Sequence, residues 1–246
     1  MISKARLKEL AAYRQQKVCD AESVFVVEGV KMAEEALRSG WHIEAVCATS
    51  QWLEQHQTAT SLYDSYEVGG AELERLSSMK NPNEVWMLMR RGQCETDAES
   101  EVLTLVLDKI QDPGNMGTIM RTADWFGIRH IVCSPETASC YNAKVVQSSM
   151  GSIFRTQIDY CDLPQWLERC GRPIYGAVLD GVSIYDMPLE RPSVLVIGNE
   201  SKGIGGEVAA LLTHRAAIPN IGGSCESLNA AVATGILCSH FMRKDA

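Results

Sequence analysis

Three stretches of the chain combine glycines with side chains that could bind a ligand or assist a polar reaction. They read "LDKIQDPGNMGTIMR" at 107–121, "IGNESKG" at 197–203 and "IPNIGGSCESLNAAVA" at 218–233. Glycines allow a backbone to approach another group closely, and the amide, carboxylate, hydroxyl and guanidinium groups beside them supply hydrogen bonds. If the three stretches meet, they form a site for a small molecule.

The middle stretch leads from a strand through a glycine-rich turn into a helix, which is a common way to bind phosphate. Its spacing argues against a nucleotide. The run from Gly198 to Gly203 supplies the first six positions of GxxxxGK[ST], but Ile204 and Gly205 stand where Lys and Ser or Thr must follow. The run from Gly203 to Val208 also lacks the last glycine of GxGxxG. A nucleotide-binding regulator is therefore a weak interpretation.

The elements around these stretches predict an α/β fold in two domains. A domain of about 150 residues is typical, so 246 residues favour two. The first 90 residues read as a small α/β unit. Continuous apolar strands then alternate with helices, which predicts a mostly parallel sheet covered on both faces. We place the first domain at 1–93, a linker at 94–101 where acidic residues accumulate, and the second domain at 102–246.

The predicted sheet brings the three stretches to one edge, because ligands of such sheets lie beyond the carboxyl ends of the strands. The strands before the stretches are predicted to end at Asp108, Gly198 and Pro219. If these strands lie side by side, their loops converge. A last helix is predicted from Ser227 to about Met242, and residues 124–126 are predicted to pack the helix after the first of these strands onto the sheet.

The composition limits the function classes. A net charge of −8 argues against a general nucleic-acid binder. Residues 1–17 nevertheless carry five basic residues against Glu9 alone, which fits either a solvated helix face or an arm that contacts phosphates. No apolar run approaches the roughly 20 residues of a membrane span. The amino terminus also lacks the apolar core of a signal peptide, so we expect an intracellular protein.

The cysteines predict no metal site and no disulfide framework. There are nine, which is an odd number, and they form neither a CxxC pair nor a cluster with histidines. Reduced thiols that behave as small apolar side chains are the expected state.

Together the three stretches resemble the signature motifs of the SpoU (TrmH-like) ribose methyltransferases of the SPOUT superfamily. Motif 1, Asn-x-Gly-x-x-x-Arg, reads Asn115 to Arg121 here, and motif 2, Gly-Asn-Glu-x-x-Gly, reads Gly198 to Gly203. Motif 3, an Ile-Pro followed by Ser-Leu-Asn, reads Ile218-Pro219 and then 227–229, with one residue more between them than the usual spacing. The resemblance covers about residues 101–243.

Residues 23–90 resemble more loosely the ribosomal-protein-like substrate-binding domain that many of these enzymes carry. The resemblance therefore implies that S-adenosylmethionine methylates a ribose 2′-hydroxyl of RNA, with ribosomal RNA favoured over transfer RNA. It also implies a deep trefoil knot, a homodimer whose active sites draw on both chains, and a cytoplasmic location. A transfer RNA substrate, or a non-catalytic RNA- or ribosome-binding module of the same fold, is the alternative.

The resemblance also assigns residues to the site. In this family the arginine at the position of Arg121 is proposed to activate the hydroxyl. Because a guanidinium is almost never deprotonated in proteins, we expect Arg121 instead to hold a neighbouring phosphate and to stabilise the developing alkoxide. The polar catalytic residues implied are Asn115, Arg121, Glu200, Ser227 and Asn229. The implied cofactor contacts are Leu179, Gly181, Ile197, Gly198, Asn199, Gly203, Ile218, Pro219, Ser227 and Leu228.

Overall fold

Short helices and strands alternate along the chain in the computed structural model, which describes residues 1–92, 94 and 101–243. Most of the predicted linker at 94–101 lies outside the described residues. The elements before it are α1 (Lys4–Ala11), α2 (Gln16–Glu22), β1 (Val24–Glu28), α3 (Val30–Ser39), β2 (Ile43–Ala48), α4 (Ser50–Gln55), α5 (Gln57–Thr60), β3 (Asp64–Glu67), α6 (Gly70–Leu76) and β4 (Val85–Arg90). The elements after it are β5 (Leu103–Leu107), α7 (Pro113–Trp125), β6 (His130–Cys133), α8 (Ala143–Ser149), β7 (Gln157–Tyr160), α9 (Leu163–Arg169), β8 (Ile174–Ser183), β9 (Ser193–Ile197), α10 (Gly206–Ala209), β10 (His214–Ala217) and α11 (Ala230–Phe241).

Residue contacts divide the chain into two compact units. One comprises Met1–Gln93 and Tyr141–Phe154, and the other comprises Cys94–Cys140 and Arg155–Ala246. The sequence placed 141–154 in the second domain, whereas aromatic packing groups this segment with the first unit. The ring centroids of Tyr141 and Phe154 lie 5.2 and 6.3 Å from that of Phe25 on β1. The functional domain boundaries stay a prediction.

The first unit is built on a four-stranded sheet in the order β1-β4-β2-β3. Strand β4 is antiparallel to β1 and β2, while β2 and β3 are parallel. Alternate residues of β1, such as Val24 and Val26, pack into a core with Leu7 and Leu10 of α1 and Leu73 of α6. A small α/β unit was expected here.

The second unit contains a six-stranded sheet in the order β10-β8-β9-β5-β6-β7, and every neighbouring pair is parallel. Val106 of β5 lies in one core with Leu163 of α9 and Val208 of α10. Its neighbours Leu105 and Leu107 point to the opposite face and are also fully buried. Both faces of the central strands are therefore covered, which confirms the predicted α/β class with a parallel sheet.

The strand order corrects one expectation about the site. Strands β5 and β9 are neighbours, but β8 lies between β9 and β10. The third loop therefore does not start beside the other two. It still reaches them, because α11 follows this loop and packs against α7. Helix α11 begins at Ala230 rather than Ser227, since the Asn229 side chain caps it.

The expected packing of residues 124–126 is wrong for Trp125, whose side chain is 84% exposed. Helix α7 buries Met116, Ile119, Met120 and Ala123. These positions follow the spacing of one helical face, and position 125 lies outside that stripe.

The cysteines are free thiols, and those at 19, 47, 133, 140 and 238 are buried. Burial raises the pKa of the Cys47 thiol to about 12, which keeps it protonated and unreactive. Across residues 1–92, 94 and 101–243, no helix is long and apolar enough to cross a membrane. In the same part of the chain, His, Cys, Asp and Glu side chains form no group of three or more that could hold a metal ion.

Candidate active site

The site starts where β5 and β9 end side by side. The backbone N–H of Asp108 donates to the carbonyl of Ile197 at 2.9 Å and extends the pairing of the two strands. The Asp108 carboxylate is buried and accepts a hydrogen bond from the backbone N–H of Gly205 at 2.7 Å. Asp108 therefore anchors the glycine-rich loop to the neighbouring strand. Sequence analysis assigned it no role, although an acidic residue at the end of an apolar strand was the available signal.

The glycines of motif 2 shape their own loop. A Cβ at Gly198 would lie 2.3 Å from the carbonyl carbon of Gly203, so no side chain fits there. Asn199 and Gly203 pair through two backbone hydrogen bonds of 3.0 and 2.9 Å, and Gly203 has a φ of +68°. The Asn199 side chain also donates to the carbonyl of Lys109 at 2.9 Å. The loop is thus a tight turn fastened to the end of β5.

Asn115 joins the three motifs. Its Nδ2 donates to Oε1 of Glu200 in motif 2 at 2.6 Å, and its Oδ1 accepts from Nδ2 of Asn229 in motif 3 at 3.0 Å. A side chain from each of the three loops therefore takes part in one chain of hydrogen bonds. The loops converge as expected, although their strands are not consecutive in the sheet.

Asp112 and Asn229 cap the two helices that carry this hydrogen-bonded chain. Asp112 caps α7, since its carboxylate accepts from the backbone N–H of Asn115 at 2.8 Å. Asn229 caps α11 by accepting from Ala231 and Val232 at 3.0 and 3.3 Å. Neither the Asn115 side chain nor the Ser227 side chain therefore caps a helix.

Arg121 and Ser227 stand apart from the hydrogen-bonded chain, and both side chains are exposed. Arg121 lies on α7 six residues beyond Asn115, which is about 9 Å along the helix axis. Within the described residues the Glu200 carboxylate accepts from Asn115, and no ion pair joins it to Arg121. The structure thus links three of the five predicted polar residues and leaves Arg121 facing solvent on the same helix.

The predicted cofactor contacts differ in their exposure. Leu179 is 77% exposed and Leu228 46% exposed, while Ile197 is buried and Ile218 half-buried. Pro219 is also exposed.

A hydrogen-bonded turn shapes the loop of motif 3. Oδ1 of Asn220 accepts from the backbone N–H groups of Gly222 and Gly223 at 3.3 and 2.9 Å, and its Nδ2 donates to the Cys225 carbonyl at 3.1 Å. Asn220 is a second residue that sequence analysis missed. The turn lies in the segment that is one residue longer than the usual spacing, and it can accommodate the additional residue.

Gly181 lies in the last part of β8, where this strand packs closely on β10. A Cβ at Gly181 would lie 2.4 Å from the carbonyl oxygen of Arg215. The Arg215 guanidinium donates to Asp180 at 2.5 Å, and this hydrogen bond lowers the pKa of the exposed Asp180 carboxyl. Gly181 therefore allows β8 to pack closely against β10.

Comparison with known proteins is consistent with this arrangement. The model of the SpoU rRNA methylase family matches residues 102–239, and that of the MRM3-like substrate-binding domain matches residues 4–86. The chain is 26% identical to a 23S rRNA (guanosine(2553)-2′-O)-methyltransferase of Bacillus subtilis, over 95% of this chain and 99% of that protein.

Solved structures agree along almost the entire length. A protein assigned to the TrmH family of RNA methyltransferases, from Porphyromonas gingivalis, is 39% identical with a TM-score of 0.87 over 98% of both chains. An AdoMet-bound rRNA methyltransferase from Sinorhizobium meliloti is 29% identical with a TM-score of 0.87 over 98% of this chain and 95% of that one. The chain therefore belongs to the SpoU rRNA methylase family.

Proposed function

We propose that this chain transfers a methyl group from S-adenosylmethionine to a ribose 2′-hydroxyl of ribosomal RNA. The observation that carries the proposal is the hydrogen-bonded chain through Asn115, which brings side chains of all three motifs together at the carboxyl edge of a parallel sheet. The Bacillus subtilis relative carries the name of such an enzyme, and the Sinorhizobium meliloti relative was solved with the cofactor.

The side chains and peptide groups assigned to the cofactor fit its chemical groups. Apolar side chains that are exposed, such as Leu179, Ile221 and Leu228, offer surface for an adenine ring and a methionine chain. Peptide groups of the loops at 197–203 and 218–228 would supply the hydrogen bonds. When bound, S-adenosylmethionine supplies a methyl group on a sulfonium, which is electrophilic.

The chain's own residues would orient the acceptor and stabilise the charge that develops when its proton leaves. Asn115, Glu200 and Asn229 fix the loops, so the ribose oxygen can be held in line with the carbon it attacks. Methyl transfer to the ribose oxygen would also require the hydroxyl proton to leave. Arg121 would stabilise the developing alkoxide and hold an adjacent phosphate. The proton would pass to that phosphate or to water, because a guanidinium is a poor base.

Two variants test the division of roles. Arg121→Ala should abolish tritium transfer from labelled S-adenosylmethionine to RNA while leaving cofactor affinity in calorimetry close to that of the unmodified protein. Gly198→Val should weaken cofactor binding, because the side chain clashes with Gly203 and distorts the loop. ATP serves as the control ligand and should not bind. Equal loss of cofactor affinity in both variants would contradict the assignment.

The RNA species is tested in the same assay. Ribosomal and transfer RNA from a strain that lacks the protein are offered as separate substrates, followed by mapping of the 2′-O-methyl marks. Transfer to ribosomal RNA alone supports the proposal, and transfer to transfer RNA alone favours the alternative substrate. Cofactor binding without transfer to either would indicate a non-catalytic module.

We also propose a homodimer formed through the second unit. Helix α11 contains no acidic residue, lysine or arginine between Ala230 and Phe241, yet Val232 is 52% exposed. A helix that is apolar all round is normally buried, so a second copy of the chain is the natural cover. The proposal also includes the knotted topology that the family resemblance implies. The proposal further includes a cytoplasmic location, which a ribosomal RNA substrate supports.

A further inference from the structure

The side chain of Trp125 lies almost fully in solvent at the last position of α7. It is 84% exposed, whereas Trp52 and Trp86 are 1% exposed. A tryptophan side chain can bury 150–250 Å² of surface when it packs, so exposure forgoes a large stabilisation. The exposed ring presents a large flat face on which a partner can stack.

The neighbourhood of Trp125 is charged. Arg121 precedes it by four residues on the same helix, so the two exposed side chains share one face and their Cβ atoms lie about 5–6 Å apart. The residue before it, Asp124, pairs with Arg155 through contacts of 3.0 and 2.9 Å. The guanidinium of Arg121 therefore lies on the helix face of the exposed ring, while that of Arg155 is paired with the neighbouring carboxylate.

This pattern favours a nucleic-acid strand over a second protein chain. Tryptophan and arginine are also enriched in protein–protein interfaces, so the choice of RNA depends on the phosphate contact proposed for Arg121. Sites for single-stranded nucleic acid combine aromatic rings, on which bases stack, with arginines that hold the backbone. By contrast, α11 presents the apolar surface suited to a partner chain, as Val232 shows.

We infer that Trp125 stacks on an unpaired base of the RNA substrate, on the same helix face from which Arg121 holds a phosphate. This inference rests on the proposed function and adds a base-binding position to it. Trp125 follows Asn115 by ten residues, which is about 15 Å along the helix. The stacked base therefore belongs to a neighbouring nucleotide rather than to the one that is methylated.

The test compares Trp125→Ala and Trp125→Phe with the unmodified protein. The probe is 23S rRNA isolated without protein from a strain lacking the gene, and its affinity is measured by filter binding. Trp125→Ala should weaken RNA binding between about fivefold and about a hundredfold, as expected for loss of one stacked base. Trp125→Phe keeps an aromatic ring and should restore most of the affinity.

Three further measurements keep the outcome clear. RNA should quench the tryptophan fluorescence of the unmodified protein more than that of Trp125→Phe. The S-adenosylmethionine affinity and the mass in solution should be the same in all three proteins. A Trp125→Ala variant that binds RNA normally would overturn the inference. A change of mass without loss of RNA affinity would instead place a second copy of the chain over this ring, and would also overturn it.

A failure of the proposed function gives a different result from a failure of the inference about Trp125. If the unmodified protein binds S-adenosylmethionine but transfers no methyl group to any RNA, the proposed function fails irrespective of Trp125. If transfer occurs and only the stacking contact is absent, the inference about Trp125 fails alone.

Discussion

At the scale of single residues, the hydrogen-bonded chain around Asn115 depends on the alternation of donors and acceptors. The Asn115 amide donates to the Glu200 carboxylate through Nδ2 and accepts from Asn229 through Oδ1. Aspartate has nearly the same shape as asparagine but only accepts when ionised. Asn115→Asp should therefore set two carboxylates against each other and separate motif 1 from motif 2.

We expect Asn115→Asp to lower the free energy of unfolding by about 1–3 kcal/mol and to weaken cofactor binding. Adding Glu200→Gln should recover part of both losses, because the glutamine amide can donate to the new aspartate. Urea unfolding and calorimetric titration with S-adenosylmethionine measure the two effects. If the double variant is no better than the sum of the single ones, the two side chains do not interact in solution.

At the scale of elements, much of the second unit was predictable because continuous apolar strands and helix-capping residues are local signals. The order of the strands was not, since the position of β8 between β9 and β10 depends on contacts distant in sequence. Trp125 shows the same limit, because its neighbours in the chain read as a buried helix end. The convergence of the motifs was foreseen from the carboxyl ends of the predicted strands, whereas Asp108 and Asn220 became recognisable only from the hydrogen bonds they make.

Helix α11 carries the element-scale prediction. Val232→Glu places a charge on its exposed apolar face, and desolvating that charge in a dimer interface would cost several kcal/mol. We expect the mass measured by light scattering to fall to that of one chain. The matched control is Leu62→Glu in the first unit, where a leucine that is 77% exposed should tolerate the charge. Retention of a dimer by Val232→Glu would show that this face is not the interface.

At the scale of the whole molecule, the net charge of −8 opposes RNA binding, so any attraction must come from a local concentration of positive charge. The first helix offers one. Leu7 and Leu10 of α1 are buried, while Lys4 and Lys8 are exposed one turn apart on its solvent side. Arg14 is exposed a little further along the chain. This arrangement fits an arm that lies along a phosphate backbone.

We therefore expect Lys4→Glu with Lys8→Glu to weaken RNA binding and to reduce the steepness of its salt dependence. For every phosphate that the variant no longer neutralises, the slope of log affinity against log salt should fall by about 0.7–0.9. The control pair, Lys31→Glu with Lys80→Glu, also exchanges two exposed lysines of the first unit and changes the net charge by the same amount. Filter binding at several salt concentrations separates the two variants. If both pairs reduce the slope equally, the overall field of the protein governs RNA binding and the arm makes no direct contact.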